Sequence, residues 1–231
     1  MKNAFIRLWA MACCSVSVFV CLPFDTLAQS VQVGAATHST SSTSASVAPI
    51  VLSKALHGTA PFLPHNGTGA FDNYLAMNLP FEPIRTLHKA VEQRLGRTLI
   101  NRGEAHITII KPTEYSTVLG KVLTMHEIDS IALALHIQQA AWSVVCLGRA
   151  QYPINGTLEQ TYYVVVRSED MLAIRKAIFV RFVERGGEPS LFDPSHVYLH
   201  ITVGFTKQDL HEEVQGVRKS ENSCLWAIEE R

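Results

Sequence analysis

The triplet His-Ile-Thr occurs twice in this chain, each time inside a run of β-branched residues. The copies are "EAHITII" at residues 104–110 and "YLHITVG" at residues 198–204, and the second histidine follows the first by 94 positions. Runs of this composition are typical of β-strands. The two copies therefore predict two similar strands, one in each half of a fold.

Strand geometry determines what each copy presents to its surroundings. Successive side chains on a strand alternate between two faces, so His106 and Thr108 share one face, as do His200 and Thr202. Two imidazoles can divide acid and base roles near neutral pH. Threonine hydroxyls can donate hydrogen bonds to the non-bridging oxygens of a phosphate. A lone histidine here would be an ordinary strand residue, but the duplication favours one shared phosphate site.

The amino terminus has the order of a secretory signal peptide. Residues 1–28 contain Lys2 and Arg7, then an apolar run, then small residues ending at Ala28. A membrane anchor is the alternative, but the run is shorter than the roughly 20 residues needed to span a bilayer. The pattern predicts cleavage near Ala28 and a secreted or periplasmic protein. We expect no stable membrane insertion after cleavage.

The remaining chain divides into a linker and one domain. Residues 29–50 are rich in Ser, Thr and Ala and are expected to be flexible. Residues 51–231 are long enough for one domain with a sizeable core. Without Lys2, Arg7 and Asp25, 18 basic and 19 acidic residues remain of the 20 of each in the whole chain. A near-neutral domain argues against a general polyanion binder.

Cysteine and histidine spacing gives no metal site. Cys146 and Cys224 remain after signal cleavage, either as a disulfide in an oxidising compartment or as two buried thiols. His196 and His200 have the spacing of a helical zinc pair. However, Pro194 and the following Val-Tyr-Leu run indicate an extended segment. We therefore expect no metal.

A coarse secondary-structure assignment alternates helices and strands and predicts an α+β domain. Helix caps, glycine stops and apolar periodicity define the elements. The predicted elements are a strand over 73–80, a helix from Pro83 to a stop at Gly96, a strand over 104–110, a helix over 126–141, strands over 142–150 and 157–168 joined by a turn at 152–157, a helix from a Ser168 cap to Gly186, a strand over 195–205, and a final helix beginning near 206.

The paired motifs, their spacing, the helix before each motif strand and Gly204-Phe205 after the second resemble the two-histidine (2H) phosphoesterase superfamily. The likeness is closest to its RNA-repair-like members and spans most of residues 73–206. It implies a bilobal α+β fold, with an antiparallel sheet in each pseudo-symmetric lobe and a central cleft. It also implies cofactor-free opening of 2′,3′-cyclic phosphates or related phosphodiesters on RNA ends or small nucleotides.

The resemblance assigns roles to the motif residues. His106 and His200 would be the acid–base pair, and Thr108 and Thr202 would bind the phosphate. Which histidine is the base stays open.

Other residues are candidates for substrate contacts. Tyr115 and Tyr163 are candidates for stacking on a base, with ordinary packing as the alternative. Tyr198 shares a strand face with His200 and is a candidate for bordering the site. Arg102 is expected at the solvated surface, with a phosphate contact as its alternative. His211 is expected on the final helix, without a role in the site.

These observations predict an exported, monomeric, metal-independent phosphodiesterase acting on a nucleotide or RNA end with a cyclic phosphate. A catalytically silent nucleotide- or oligonucleotide-binding domain on the same fold is the alternative. An adhesive or structural exported protein is a third class, and it would have no nucleotide cleft. The presence of both histidines and both threonines favours the enzyme.

Overall fold

The computed structural model describes residues 48–69 and 71–231. Its elements in chain order are β1 (Ile50–Leu52), β2 (His65–Asn66), β3 (Asn73–Asn78), α1 (Phe81–Leu95), β4 (His106–Ile110), α2 (Pro112–Thr117), α3 (Met125–Ala134), β5 (Ser143–Ile154), β6 (Thr157–Arg167), α4 (Glu169–Glu184), β7 (His200–Phe205), α5 (Glu212–Gln215), β8 (Cys224–Trp226) and β9 (Ile228–Glu230). Within these residues no helix is both long and apolar enough to cross a membrane.

The predicted α+β class is confirmed, with two antiparallel sheets. One has the strand order β2-β3-β4 and the other β7-β6-β5-β8, while β1 and β9 form a separate parallel pair. The main core contains buried apolar residues from both sheets and from α1, α3 and α4. The pseudo-symmetry of the two lobes stays a prediction.

Two predicted amino-terminal segments fall largely outside the described residues. The signal peptide over 1–28 lies wholly outside them, as does most of the linker over 29–50. Ile50 was assigned to the linker, but its side chain is only 2% exposed and it begins β1. The domain therefore begins at least one residue earlier than predicted, because Ile50 packs in the main core.

The hairpin between β5 and β6 is tighter than predicted. Asn155 and Gly156 alone form the turn, and both have positive φ, at 49° and 78°. This is the type I′ geometry that Asn-Gly favours, and its twist matches that of the flanking strands. The strands therefore extend through Ile154 and from Thr157, which are register partners, and the broad turn over 152–157 was wrong.

Local capping explains where the helices begin and end. Gly96 ends α1 in the left-handed region at φ 65°, and the Ser168 hydroxyl caps α4 by accepting a hydrogen bond from the Met171 N–H at 3.1 Å. The prediction of a helix over 126–141 was too long, because α3 ends at Ala134 and His136, two residues later, adopts φ 55°. The predicted helix from 206 was also wrong in extent, since only Glu212–Gln215 is helical.

A disulfide joins Cys146 on β5 to Cys224 on β8, which resolves the alternative left open by the sequence. The two residues are 78 positions apart, and their Cα atoms are 5.7 Å apart. The bond ties the carboxyl-terminal segment to the four-stranded sheet.

The two motif strands are edge strands that are brought close to each other. β4 ends the three-stranded sheet and β7 ends the four-stranded one. Ile100, in the segment leading to β4, forms an antiparallel bridge with Phe205 through N–H···O bonds of 2.7 and 2.9 Å. Gly204 permits this approach, because a Cβ there would lie 2.8 Å from the His88 ring and 3.2 Å from the Ile100 carbonyl oxygen.

A fully buried arginine on α4 connects the two motif strands. Arg175 has no exposed surface, and its guanidinium donates to the Ile109 carbonyl oxygen of β4 at 2.6 Å. It also binds both carboxylate oxygens of Glu114 at 2.9 and 3.0 Å. Its remaining bonds go to backbone carbonyl oxygens just before β7, those of Asp193, Pro194 and His196.

These bonds explain a second error in the predicted strands. The sequence predicts a strand over 195–205, but the observed strand, β7, begins only at His200. The carbonyl oxygens of Pro194 and His196 turn toward Arg175 instead of joining a sheet ladder, whereas that of Leu199 accepts a hydrogen bond from the Val166 N–H of β6. The segment before His200 is therefore irregular.

We predict that Arg175→Met destabilises the domain by about 3–5 kcal/mol, because it leaves the largely buried carboxylate of Glu114, whose side chain is 14% exposed, without its cationic partner. The free energy of unfolding should be measured by urea titration. Arg181→Met is the matched control, since Arg181 lies on the same helix with its side chain 41% exposed. Its loss should cost no more than about 1 kcal/mol. Equal effects of the two substitutions would contradict the role given to Arg175.

Candidate active site

Both motif strands line one cavity of about 520 Å³. His106 and Thr108 reach it from β4, and His200 and Thr202 reach it from β7. The isoleucine between each pair, Ile107 or Ile201, is fully buried on the opposite face. Strand alternation therefore brings together the four side chains that the repeated triplet indicated.

His200 is held in its neutral form with a defined tautomer. Its Nδ1 lies 2.7 Å from the carbonyl oxygen of Tyr198, which can only accept, so Nδ1 carries the proton. In the neutral ring Nε2 then has a free lone pair. Burial, and next the positive charge of Lys219, hold the pKa of His200 well below its usual value. A neutral imidazole with a free Nε2 can accept a proton.

His106 has a different partner. Its Nδ1 lies 2.8 Å from a carboxylate oxygen of Glu104. Burial opposes ionisation of Glu104, yet the hydrogen bond and charge of His106, followed by Arg102, bring the pKa of the carboxyl below its usual value. An ionised carboxylate at Nδ1 stabilises the imidazolium form. His106 is therefore suited to donate a proton from Nε2.

A second histidine and a tyrosine pack beside His106. The ring of His65 stacks on Tyr74 with centroids 3.9 Å apart and lies 6.4 Å from the His106 ring. Burial lowers the pKa of His65, and burial raises the pKa of Tyr74 to about 12. Both groups are therefore neutral at pH 7. Tyr74 also lines the cavity, whereas His65 does not.

Asp209 is the centre of a buried polar network beneath Thr202. Its side chain is 6% exposed and accepts bonds from Arg102 at 2.6 Å, Lys219 at 2.9 Å and Thr202 Oγ1 at 3.3 Å. Burial would raise the pKa of Asp209, but the charges of Lys219 and Arg102 outweigh it and lower the pKa. Burial lowers the pKa of Lys219, whose side chain is 4% exposed, and Asp209 opposes that shift.

Ion pairs hold the segment after β7 against the cavity rim. Lys111 lies 2.6 Å from Glu213 and 3.4 Å from Glu212, and His196 Nε2 lies 3.3 Å from Glu212. His211 was expected on a helix, but it precedes α5 and lines the cavity. Burial lowers its pKa, although the nearby carboxylate of Asp209 opposes this.

The three tyrosines named from the sequence have different positions. Tyr198 lines the cavity. Tyr163 is fully buried behind His200, with ring centroids 5.7 Å apart, and its hydroxyl bonds to Ser223 Oγ at 2.7 Å. Tyr115 packs against the main core. Neither Tyr163 nor Tyr115 lines the cavity.

Sequence reasoning missed most of the charged network. Arg102 lies at the surface, as expected, but its guanidinium also reaches Asp209 and lines the cavity. Asp209 and Lys219 lie in irregular segments, where neither periodicity nor a motif distinguishes them. The only signal was the proximity of Arg102 to the first motif.

Across residues 48–69 and 71–231, no three His, Cys, Asp or Glu side chains are placed to hold a metal ion. His196 bonds toward Glu212, whereas His200 lies in the cavity. The helical zinc spacing of these two histidines therefore does not correspond to a helical pair.

A family model described as Swiss Army Knife, 2H phosphoesterase domain, matches residues 73–211. The matched segment begins at β3 and includes both motif strands and Asp209, while Lys219 lies beyond it. No curated protein and no solved structure matches the chain significantly. The match spans more than half of the 231 residues, so this chain belongs to the 2H phosphoesterases and is a phosphoesterase.

Proposed function

We propose that this phosphoesterase opens the 2′,3′-cyclic phosphate of a nucleotide, with His200 as the base and His106 as the acid. The observation that carries this proposal is the difference in Nδ1 partners within one cavity. His200 donates to a carbonyl oxygen, whereas His106 faces a carboxylate. The first arrangement favours proton acceptance at Nε2, and the second favours proton donation.

In the proposed reaction, His200 Nε2 takes a proton from water as the water oxygen forms a bond to phosphorus. The bond from phosphorus to one ribose oxygen breaks in line, and His106 gives its proton to that oxygen. The product is a nucleotide phosphomonoester. Each acid–base contribution is worth roughly 100- to 10,000-fold in rate.

The threonine hydroxyls are placed to bind the phosphoryl oxygens. Thr202 Oγ1 lies 3.3 Å from Asp209, which is long for a hydroxyl hydrogen bond. The hydroxyl can therefore rotate toward a bound phosphate at little cost. Thr108 faces the same cavity from the other strand. Two such donors stabilise the charge that develops on the phosphoryl oxygens.

The charges around the cavity support a small substrate over a long RNA. Arg102 and Lys219 both pair with Asp209, and Lys111 pairs with Glu212 and Glu213. The cations of the lining are thus matched by carboxylates, whereas RNA binding needs unmatched cations along the strand.

The cavity also offers apolar surface beside the phosphate-binding groups. Phe71, Tyr198, Val214 and Val217 line it, and Phe71 is 68% exposed. Aromatic and aliphatic faces of this kind can stack on a nucleobase. The volume of about 520 Å³ lies within the usual range for small-molecule sites.

Export is part of the proposal. The predicted signal peptide supports it, and so does the Cys146–Cys224 disulfide, because such bonds persist in oxidising compartments. We propose that the mature domain acts as a secreted or periplasmic monomer on nucleotides outside the cytoplasm.

A silent binding domain would use the same cavity, and turnover distinguishes it from the enzyme. We predict hydrolysis of 2′,3′-cyclic nucleotides in EDTA by the wild type. His106→Ala and His200→Ala should each lower kcat by roughly 100- to 10,000-fold. His126→Ala is the control, since His126 is exposed on α3, and its kcat should not change. Calorimetric binding of the nucleotide without turnover would favour the silent domain instead.

The pH dependence of kcat/KM follows from the environment of His200. A base works in its unprotonated form, so a lowered pKa extends activity to lower pH. Because burial and Lys219 lower the pKa of His200, we predict that the acidic limb lies below the ordinary value of 6.5. The profile should be measured from about pH 4.5 to 8. An acidic limb at or above pH 6.5 would contradict the assignment of His200 as the base.

Salt dependence tests the predicted substrate size. We predict a higher kcat/KM for a 2′,3′-cyclic mononucleotide than for a short oligoribonucleotide ending in the same cyclic phosphate. For the oligonucleotide, the plot of log(kcat/KM) against log[salt] should be no steeper than about −0.7, the value for one single-strand phosphate. A several-fold steeper slope, or a preference for the oligonucleotide, would show an RNA-binding track and overturn the size argument.

A further inference from the structure

Lys219 is a buried lysine that lines the same cavity as the proposed base, and neither motif contains it. Its side chain is 4% exposed, and its Nζ lies 2.9 Å from Asp209 Oδ1. It is among the residues that line the cavity with His200. Burying an ammonium group is costly unless it is paired. Its placement at the reaction centre therefore calls for a role that an apolar side chain of similar size could not supply.

The segment that carries Lys219 is anchored firmly. Cys224, five positions later, is bonded to Cys146 of the four-stranded sheet. Between Lys219 and Cys224 in the sequence, Ser223 Oγ accepts a hydrogen bond from the hydroxyl of Tyr163 at 2.7 Å. These two attachments hold the segment against β5 and β6, so the ammonium group occupies a fixed place under the cavity.

Tyr163 gives this arrangement a geometric link to the base. The Lys219 ammonium lies 5.6 Å from the centroid of the Tyr163 ring, and that ring meets the His200 ring edge to face at 5.7 Å. Asp209, on the segment after β7, bonds both Lys219 and Thr202. The ion pair thus contacts Thr202 directly, and the Tyr163 ring lies between it and His200.

We propose that Lys219 and Asp209 form a positioning ion pair that keeps His200 neutral and thereby sets the pH range of the active site. The role as base rests on the proposed function, but the effect on the charge of His200 does not. Lys219 supplies a fixed positive charge that disfavours a second one on the imidazole. Asp209 holds the ammonium group in place and, by itself, acts on His200 in the opposite direction.

The groups facing His200 come from several elements. Lys219 lies on the carboxyl-terminal segment, Asp209 after β7, His106 on β4 and Tyr163 on β6. Burial is the largest cause of the lowered pKa of His200, and Lys219 is the next. Lys219 contributes more than Asp209, which opposes it. Removing the lysine charge should therefore raise the pKa of His200 without changing its burial.

Arg102 makes this experiment feasible. In a Lys219→Met variant, Asp209 keeps the guanidinium of Arg102 at 2.6 Å as a partner. Methionine has nearly the length of the lysine stem and fills the buried space. The variant Lys219→Met/Asp209→Asn removes both members of the pair and leaves no unmatched carboxylate. It serves as a second test if the single variant does not fold.

The test is an NMR titration of the His200 imidazole in wild type, Lys219→Met and Lys219→Met/Asp209→Asn. Lys207→Met is the control, because Lys207 is exposed on the segment that carries Asp209. We expect the titration midpoint to be highest in Lys219→Met, intermediate in the double variant and lowest in wild type and Lys207→Met. The acidic limb of kcat/KM should move upward in the same order, whereas a merely structural role would lower activity without moving it.

A His200 midpoint that does not rise in folded Lys219→Met would overturn the proposal. If only the double variant folds, a His200 midpoint in that variant at or below the wild-type value would also overturn the proposal. If the double variant has the same midpoint as Lys219→Met, Asp209 has no effect on the charge of His200, and that part of the proposal is overturned. The titration requires no substrate, so its result stands even if the protein does not hydrolyse cyclic nucleotides. Conversely, hydrolysis with an unshifted midpoint overturns only the role of the pair.

Discussion

The geometry of the site depends on the buried guanidinium of Arg175. This side chain belongs to α4, but its hydrogen bonds reach Ile109 on one motif strand and the segment that leads into the other. Glu114 compensates the charge with two oxygens. An apolar side chain could fill the same volume, but it could not bind backbone carbonyls from both directions. We infer that arginine at this position specifies the relative placement of β4 and β7, which burial of apolar surface alone would leave less defined.

Placing the motifs on two edge strands has a chemical consequence. A single strand cannot present two imidazoles to one phosphate from opposite sides, whereas two edges that approach each other can. The approach also lets the surroundings differ, since His106 meets the carboxylate of Glu104 and His200 meets the carbonyl of Tyr198. Identical triplets thus give unequal histidines, because the residues two positions before them use different groups. That inequality separates an acid from a base.

The sequence predicted best where side-chain periodicity controls structure. The alternation of His106, Ile107 and Thr108 is reproduced, as are the glycine stop of α1 and the serine cap of α4. Prediction failed where bonds between distant segments override local preference. The run before His200 has strand composition, yet the carbonyl oxygen of His196 within it and that of Pro194 just before it bind Arg175.

Local sequence patterns also failed to predict which side chains are buried. Tyr163 lies on β6, which is buried on both faces. One face packs in the main core, and a second apolar cluster with Cys146 and Leu210 covers the other face, which a sheet with one solvated side would expose. Lys219 could not be found by pattern at all, since its importance arises only from the disulfide and the fold that carry it to the cavity.

A carboxylate such as Asp209 would repel a phosphate if it were alone, but with Arg102 and Lys219 the cluster carries one net positive charge. Such a cluster matches the single charge of a cyclic phosphodiester. Hydrolysis yields a phosphomonoester with a charge of about −1.5 to −2 near pH 7. If Arg102, Lys111 and Lys219 were unpaired, they would bind that product more tightly than the substrate. Lys111 pairs with Glu212 and Glu213, and Asp72 also lines the cavity, so the lining as a whole has three cations and four carboxylates, which favours release of the product. Pairing the cations limits affinity for the product while leaving enough positive charge to bind the substrate, which is the balance that repeated turnover requires.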